Sequence, residues 1–309
     1  MTTTTLRNKV NGDSIFNKVS LFSALIIFIT LAGLVISLFH GGWPAFEKFG
    51  LSFIYKSEWD PVGGNFGVAA EIYGTLVSSL IAIIIAVPVS LGTAIFLAEL
   101  TPTWVSEPVG KAVELLAAVP SIIYGMWGLF VFAPWFSNGF QTWAGDHLVG
   151  LPIIGPLFDG PPIGIGLMTA GIILSIMILP IMTSFARDAL NSIPNVVREA
   201  AYGIGATNFE VIVKVLIPKV KNAIVSAGIL GLGRALGETM AVAFVVGGSS
   251  SISESLFMPA STISATIAQQ FGEATGNIYI SSLIGLGAVL FVITFIVMIL
   301  AKRLLRDSK

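Results

Sequence analysis

The residues best suited to chemistry in this chain are two charges inside an apolar run. In ILGLGRALGETMAVAFVVGG, residues 229–248, Arg234 and Glu238 interrupt what otherwise reads as a membrane-spanning helix. An arginine at the centre of such a helix costs roughly 3 kcal/mol to insert, so its presence calls for a reason. In an unbroken helix, residues four apart lie on one face, where the two side chains can meet. Two readings stay open. One is an internal ion pair that makes both charges tolerable in the membrane interior. Gly233 and Gly237, a G-x-x-x-G pair, then serve only close helix packing. The other is a polar point on an anion path, where the guanidinium matches oxyanion oxygens with paired donors. Thr239 follows directly and joins Arg234 and Glu238 as a candidate path residue.

The setting of this stretch follows from composition. Of 309 residues, 55% are hydrophobic and 11% are charged, and the mean hydropathy is +0.91. Soluble domains carry about 25% charged residues, so the chain reads as one polytopic, all-α integral membrane protein surrounded by lipid. A formal net charge of −1 speaks against a nucleic-acid binder. The absence of cysteine excludes disulfides, thiolate metal sites and cysteine nucleophiles.

Stretches near 21–39, 72–98, 112–133, 163–184, 223–246 and 281–301 reach the roughly 20 apolar residues that a bilayer requires. Six transmembrane helices are therefore expected. Pro88, Pro120 and Pro180 fall inside three of them and predict kinks. Residues 1–20 form a polar N-terminal segment, in which the Thr2–Thr5 run reads as a disordered end. The first span, 21–39, is too long for a signal-peptide core and lacks a small-residue cleavage site, so it is expected to stay. An external loop at 40–71 follows it. A core at 72–301 holds the other five spans, and 302–309 is a tail.

Lysine and arginine set the orientation. Arg7, Lys9 and Lys18 precede the first span, and Lys111 lies between the second and third. Arg187, Arg198, Lys214, Lys219 and Lys221 lie between the fourth and fifth, and Lys302, Arg303, Arg306 and Lys309 follow the sixth. The alternate loops hold only Lys48 and Lys56. The positive-inside rule places both termini and the loop at 185–222 in the cytoplasm. Trp43, Trp59, Trp135 and Trp143 lie in the opposite loops, where an aromatic ring suits the headgroup level. Docking of an external partner is the alternative use of those loops.

The cytoplasmic loop carries its own pattern. Pro194 fits a helix start, Asn195 to Tyr202 can form a short helix, and Gly203 and Gly205 stop or bend it. A second helical run begins at Ala206–Thr207–Asn208, and Pro218 is expected to break it before the fifth span. Two short helices joined by glycines make either a knob that docks in a soluble partner or an amphipathic connector.

Glu199-Ala200-Ala201, three residues, Gly205, nine residues and then Val215-Leu216-Ile217-Pro218 resemble the E-A-A, G, I-x-L-P loop of ABC-importer permeases. Val215 and Ile217 are conservative departures from that pattern. The resemblance implies a type I importer-permease fold in a bacterial plasma (inner) membrane. It also implies that Glu199, Ala200, Ala201, Gly205 and Pro218 belong to a coupling element docked in an ATP-binding subunit. Two further stretches, LLAAVPSIIYGMWGLFVFAPW (115–135) and GLGRALGETMAVAFVVGG (231–248), are similar to phosphate-importer permeases of the PstC kind.

On that resemblance the chain has no covalent chemistry of its own and is not an enzyme. No G-x-x-x-x-G-K-[ST] loop occurs, so the chain binds no cofactor in that way, and ATP and Mg are expected on the partner ATPase. The implied partners are a PstA-like second permease subunit or a second copy, two ATP-binding subunits, and an external phosphate-binding protein. Phosphate near neutral pH still carries protons. Glu238 can therefore accept a hydrogen bond from a P–OH that ionised sulfate lacks. The rivals are a sulfate or molybdate permease, and an ion-coupled secondary transporter or channel. The last should show inverted repeats with interrupted helices and has no use for the E-A-A loop.

The remaining polar residues rank lower. Lys111 and Glu114 are expected to form a surface pair, and Glu71 and Glu99 to anchor the second span at its interfaces. His40 and His147 are too far apart in sequence to suggest a metal motif. Tyr124 and Trp127 are expected to serve aromatic packing, with pathway lining as the alternative.

Overall fold

Helix dominates because a chain this apolar has to satisfy its backbone polar groups internally. The computed structural model describes residues 6–306, with side chains from residue 12 to residue 303, so the Thr2–Thr5 run lies outside the described residues. Helix α1 spans Leu6–Phe49 and continues through Pro44. The first turn outward therefore comes at Gly50 (φ +57°) and not at residue 40. A short helix, α2 (Ser52–Tyr55), and a two-stranded hairpin follow, with β1 (Trp59–Asp60) antiparallel to β2 (Asn65–Phe66). Trp59 Nε1 and the Tyr279 hydroxyl both donate to Gln270 Oε1, at 2.7 and 2.9 Å, and fasten the hairpin to the helices behind it.

Helix α3 (Ala69–Ile95) runs on as π-helix through Phe96–Leu100. The expected third span is not one straight helix. Helix α4 (Thr103–Ala117) stops short of Pro120, and the chain bends by 91° into the helical run Ser121–His147. A proline drives the residue before it out of the helical region, here Val119, so the break falls at that point. The new run starts as α5 (Ser121–Trp127) and continues through α6 (Ala133–Phe136) and α7 (Thr142–His147). The intervening segments, Gly128–Phe132 and Ser137–Gln141, are π-helical. Residues 134–147, expected in a loop, are therefore helical.

Helix α8 (Leu167–Asn191) is the central element. In its most apolar window 67% of residues are buried within the chain, against 0% for that of α1, which packs inward only near its end, where Gly41 and Ala45 bond Ser281. Helices α9 (Asn195–Gly203), α10 (Asn208–Glu210) and α11 (Ile217–Leu236) form the loop after α8 and the next span. Pro218 does not break this run, which is continuous from Asn208 to Leu236. It sits in the first turn of α11, after the wide turn of π-helix Val211–Leu216, where a missing N–H does least harm. The fifth span thus starts earlier than expected and ends at Leu236 instead of residue 246. Short helices α12 (Met240–Val245) and α13 (Ile263–Gln270) precede the last span, α14 (Asn277–Arg306). Five helices among the described residues are long and apolar enough to cross a membrane, or six if the bent pair is one span.

The core runs between α3 and α8, where Ala82 and Ala86 meet Leu174, Met177 and Ile178, all buried. Small residues on α3 bring the helices close. Beyond α12 the chain turns back without regular structure across the first turns of α3 and α8, where buried backbone groups need partners. Its groups are paired with protein: Ala260 N–H donates to Val246 O (2.9 Å), Ser249 N–H to Ala260 O (3.2 Å) and Met168 N–H to Leu256 O (2.8 Å). Gly247 and Gly248, at φ +99° and +71°, make the turn that L-residues with a Cβ resist. Gly74 on α3 touches this returning segment so closely that a Cβ would collide with the Ser261 carbonyl.

Two glycines of α3 therefore predict opposite outcomes. Gly74→Ala overpacks a buried contact and should destabilise by roughly 1–3 kcal/mol. Gly92→Ala, with nothing within 4 Å of its Cβ position, should be neutral or stabilise by up to about 1 kcal/mol. Thermal unfolding of the detergent-solubilised protein should show a lower Tm for the first only, and equal shifts would contradict this packing.

Candidate functional site

The charged pair does not occupy one helix. Helix α11 ends at Leu236, Gly237 leaves helical geometry (φ −96°, ψ 3°), and α12 begins only at Met240, after Thr239 as its N-cap. Arg234 and Glu238 are thus on either side of a break, and no ion pair joins them. The ion pairs among the described residues are Arg187–Glu114, Arg198–Glu99 and Lys214–Glu210. Each charge is matched to a helix end instead. Arg234 lies in the last turn of α11, where the carbonyl end favours a cation. The Ala241 N–H donates to Glu238 Oε1 at 3.2 Å, so the carboxylate serves the first turn of α12.

The break leaves functional groups open. Arg234 is exposed and Glu238 half-buried in the single chain. The Thr239 hydroxyl donates to Gly237 O at 3.3 Å. Tyr124 on α5 interacts electrostatically with Arg234, and its hydroxyl donates to Leu116 O at 2.9 Å. Its neighbour Gly125 allows the approach of α5 to α12, since a Cβ there would lie 2.9 Å from Ala241 Cα. The G-x-x-x-G pair is not the tight crossing. A Cβ at Gly233 would make ordinary contact with Met298 at 3.6 Å, and Gly237 caps α11. Gly231 is the close one, with Met182 Sδ of α8 at 2.7 Å from its Cβ position.

The second site is the loop between α8 and α11. Helix α9 starts after Pro194, as expected, and Gly205 turns the chain with φ +87°. Thr207 then opens the next run with a capping box: its Oγ1 accepts from Glu210 N–H (3.4 Å), and Glu210 Oε2 accepts from Thr207 N–H (3.1 Å). Glu199 and Ala200 are exposed, whereas Ala201 packs inward against the cluster of Leu190, Ile193, Val211 and Leu216. Around them Val196, Tyr202, Ile204 and Phe209 are exposed apolar side chains, Ile204 at 88%.

Sequence reasoning missed a third arrangement. Glu99 does not anchor an interface. Its side chain is 8% exposed and holds Arg198 of α9, itself 16% exposed, in a two-pronged contact. Arg198 Nε donates to Glu99 Oε2 at 3.0 Å and Nη2 to Oε1 at 2.6 Å. The same guanidinium donates to Leu190 O (2.9 Å), in the last turn of α8, and to Ile193 O (2.6 Å), just beyond its end. The Glu99 hydrogen bonds raise the Arg198 pKa above its ordinary value. Removing one partner of so enclosed a pair costs about 3–5 kcal/mol. The partners are 99 residues apart, so only the acid's position in an apolar run hinted at a tertiary partner.

Glu71 is likewise not interfacial. It is fully buried, and Ser250 Oγ donates to its Oε1 at 2.8 Å. Glu114 pairs loosely with Arg187 (3.8 Å) and not with Lys111. No group of histidine, cysteine or acidic residues suited to a metal occurs among the described residues.

With this geometry in place, similarity to known proteins is informative. Residues 90–308 match the family of binding-protein-dependent transport system inner membrane components. The phosphate transport system permease protein PstC of Mesorhizobium japonicum is 50% identical, covering 97% of this chain and 92% of that protein. The protein of the same name from Pasteurella multocida is 47% identical, over 95% and 91%. The solved structure of a bacterial alginate ABC transporter, in complex with a pentasaccharide-bound periplasmic protein, matches with a TM-score of 0.58. It is 18% identical and covers 98% of both chains, so it supports the fold alone.

The capping box gives a pH prediction. The Lys214 hydrogen bond, followed by those of Thr207, lowers the Glu210 pKa from 4.5 to about 2. Its contribution to the helix start is fully present above 4.5 and is lost as pH falls through about 2. A carboxyl-carbon NMR titration should place Glu210 near the lower value. A midpoint at 4.5 would mean that the box does not form.

Proposed function

We propose, from the premise that this chain belongs to the family of binding-protein-dependent transport system inner membrane components, that it is a permease subunit of an ATP-driven phosphate importer. It is a multi-pass protein of the bacterial inner membrane. The observation that carries the reading is near-full-length identity of about half with PstC proteins, joined to a helix break that leaves an arginine and a glutamate open.

In this reading two permease subunits enclose the path, this chain and a PstA-like partner or second copy. Two ATP-binding subunits dock at α9, where Glu199, Ala200 and Gly205 form the outer surface and Ile204 and Phe209 supply apolar anchors. ATP and Mg belong to those subunits, and this chain does no covalent chemistry. An external phosphate-binding protein delivers substrate to the opposite side. Closure of the ATPases moves the docking helices and shifts the population between inward-open and outward-open states.

Phosphate is then met by Arg234, whose guanidinium makes no ion pair among the described residues and offers paired donors. The second Glu238 oxygen, which accepts no hydrogen bond among the described residues, receives one from a P–OH, and Thr239 lies beside it. An interrupted helix is also a mark of secondary transporters. The family membership and the docking element, and not the break, decide for an ATP-driven importer.

Loss of a charge-assisted hydrogen bond of about 1.5–3 kcal/mol predicts a roughly 10–100-fold fall in phosphate uptake for Arg234→Gln and Glu238→Gln in the assembled complex. Unchanged uptake by both variants would remove these residues from the path. For the docking element, Gly205→Ala forces a Cβ into φ +87° and costs about 1 kcal/mol or more by strain alone, since nothing crowds the position. The ATPase subunit should co-purify less with it, and less again with Glu199→Ala. Full retention with both would speak against docking at α9.

A further inference from the structure

Glu71 and Glu99 sit at opposite ends of the helix that begins with α3, about 40 Å apart by helical rise. Each is tied to an element that has to move or be held if the path alternates. At the outer end Glu71 holds Ser250 of the returning segment. At the inner end Glu99 holds Arg198 of the docking helix, and Arg198 also holds carbonyls in the last turn of α8 and just beyond it. One guanidinium therefore joins α9, α3 and α8.

We propose that Glu99 and Arg198 are positioning residues for energy coupling: the pair clamps the docking helix α9 to α3, so that a displacement of α9 moves α3 with it. This rests on the importer reading and names how a push at the docking surface reaches the spans. Three features of the contact support it. It is two-pronged, so α9 can neither slide nor rotate against α3 without losing a bond. It is enclosed, so water does not replace a lost bond, and separation leaves a charge unpaired away from solvent. The other connections are less directional: the loop after α9 turns through Gly203 and Gly205, and Ala201 packs on a buried apolar cluster with Ala94 and Leu190, a contact that does not fix orientation.

The test uses the assembled complex with its ATPase subunits in proteoliposomes. The chain has no cysteine, so Val89→Cys on α3 and Asn195→Cys on α9, both exposed, give a unique spin-label pair. In the otherwise unaltered chain, the label separation should stay constant between the nucleotide-free and the vanadate-trapped complex. In Glu99→Gln and in Arg198→Lys, which keeps the charge but loses the fork, it should change on trapping. Phosphate moved per ATP hydrolysed should fall roughly tenfold in both variants, the loss expected from one charge-assisted bond, while ATP hydrolysis persists. A separation that stays constant in the variants, an unchanged ratio of transport to hydrolysis, or failure of both variants to assemble would each overturn the clamp. The label separation needs no particular cargo. A complex that moves no phosphate would therefore refute the substrate assignment while the clamp is still decided by distance.

Discussion

The constraint on which this structure depends is that every backbone N–H and C=O at membrane depth must find a partner in protein. A straight span meets it alone; an interrupted one cannot. At the end of α11 the chain gives up helical bonds at Gly237 to Thr239 and begins again at Met240. The charges stand at that interruption because helix ends are where a guanidinium and a carboxylate have something to offer the backbone. Glu238 takes the Ala241 N–H, and Arg234 stands where carbonyls are left over. Glu238 thus satisfies an amide that the interruption leaves without a helical partner, and the Arg234 charge suits the carbonyl end of α11.

Burial within protein imposes the same need on the returning segment after α12. It has no regular structure, yet its amides and carbonyls pair with Val246, Leu157 and the start of α8. Only glycine at 247 and 248, and the close approach at Gly74, allow it to lie there. Buried Glu71 is part of this arrangement through Ser250. A polar scaffold at the outer end and the Glu99–Arg198 clamp at the inner end leave α3 fastened at both extremities.

Much of this was legible in the sequence. The helical class, the lysine and arginine asymmetry, the short helix after Pro194 and the turn at Gly205 follow from local rules that depend on few residues. What was not legible is tertiary. Nothing near Arg234 in sequence says that its helix stops two residues later, because a glycine in an apolar run is as often a packing residue as a stop. Pro120 announced a kink, and the outcome was a 91° break. Pro218 announced a break, and the outcome was a continuous helix, since a π turn absorbed it. Proline fixes what its own residue cannot do; the surrounding packing decides whether the helix yields. Glu99 and Glu71 were misplaced at interfaces for the same reason, as their partners lie 99 and 179 residues away.

The central claim is that this chain moves phosphate only when driven by ATP hydrolysis in a partner subunit. The most direct measurement is uptake of radiolabelled phosphate into proteoliposomes that contain the purified complex, with ATP on the docking side and the phosphate-binding protein on the other. Uptake that requires both, and that excess sulfate does not compete away, is the result expected. Uptake that proceeds without ATP, or sulfate transport at an equal rate, would contradict it.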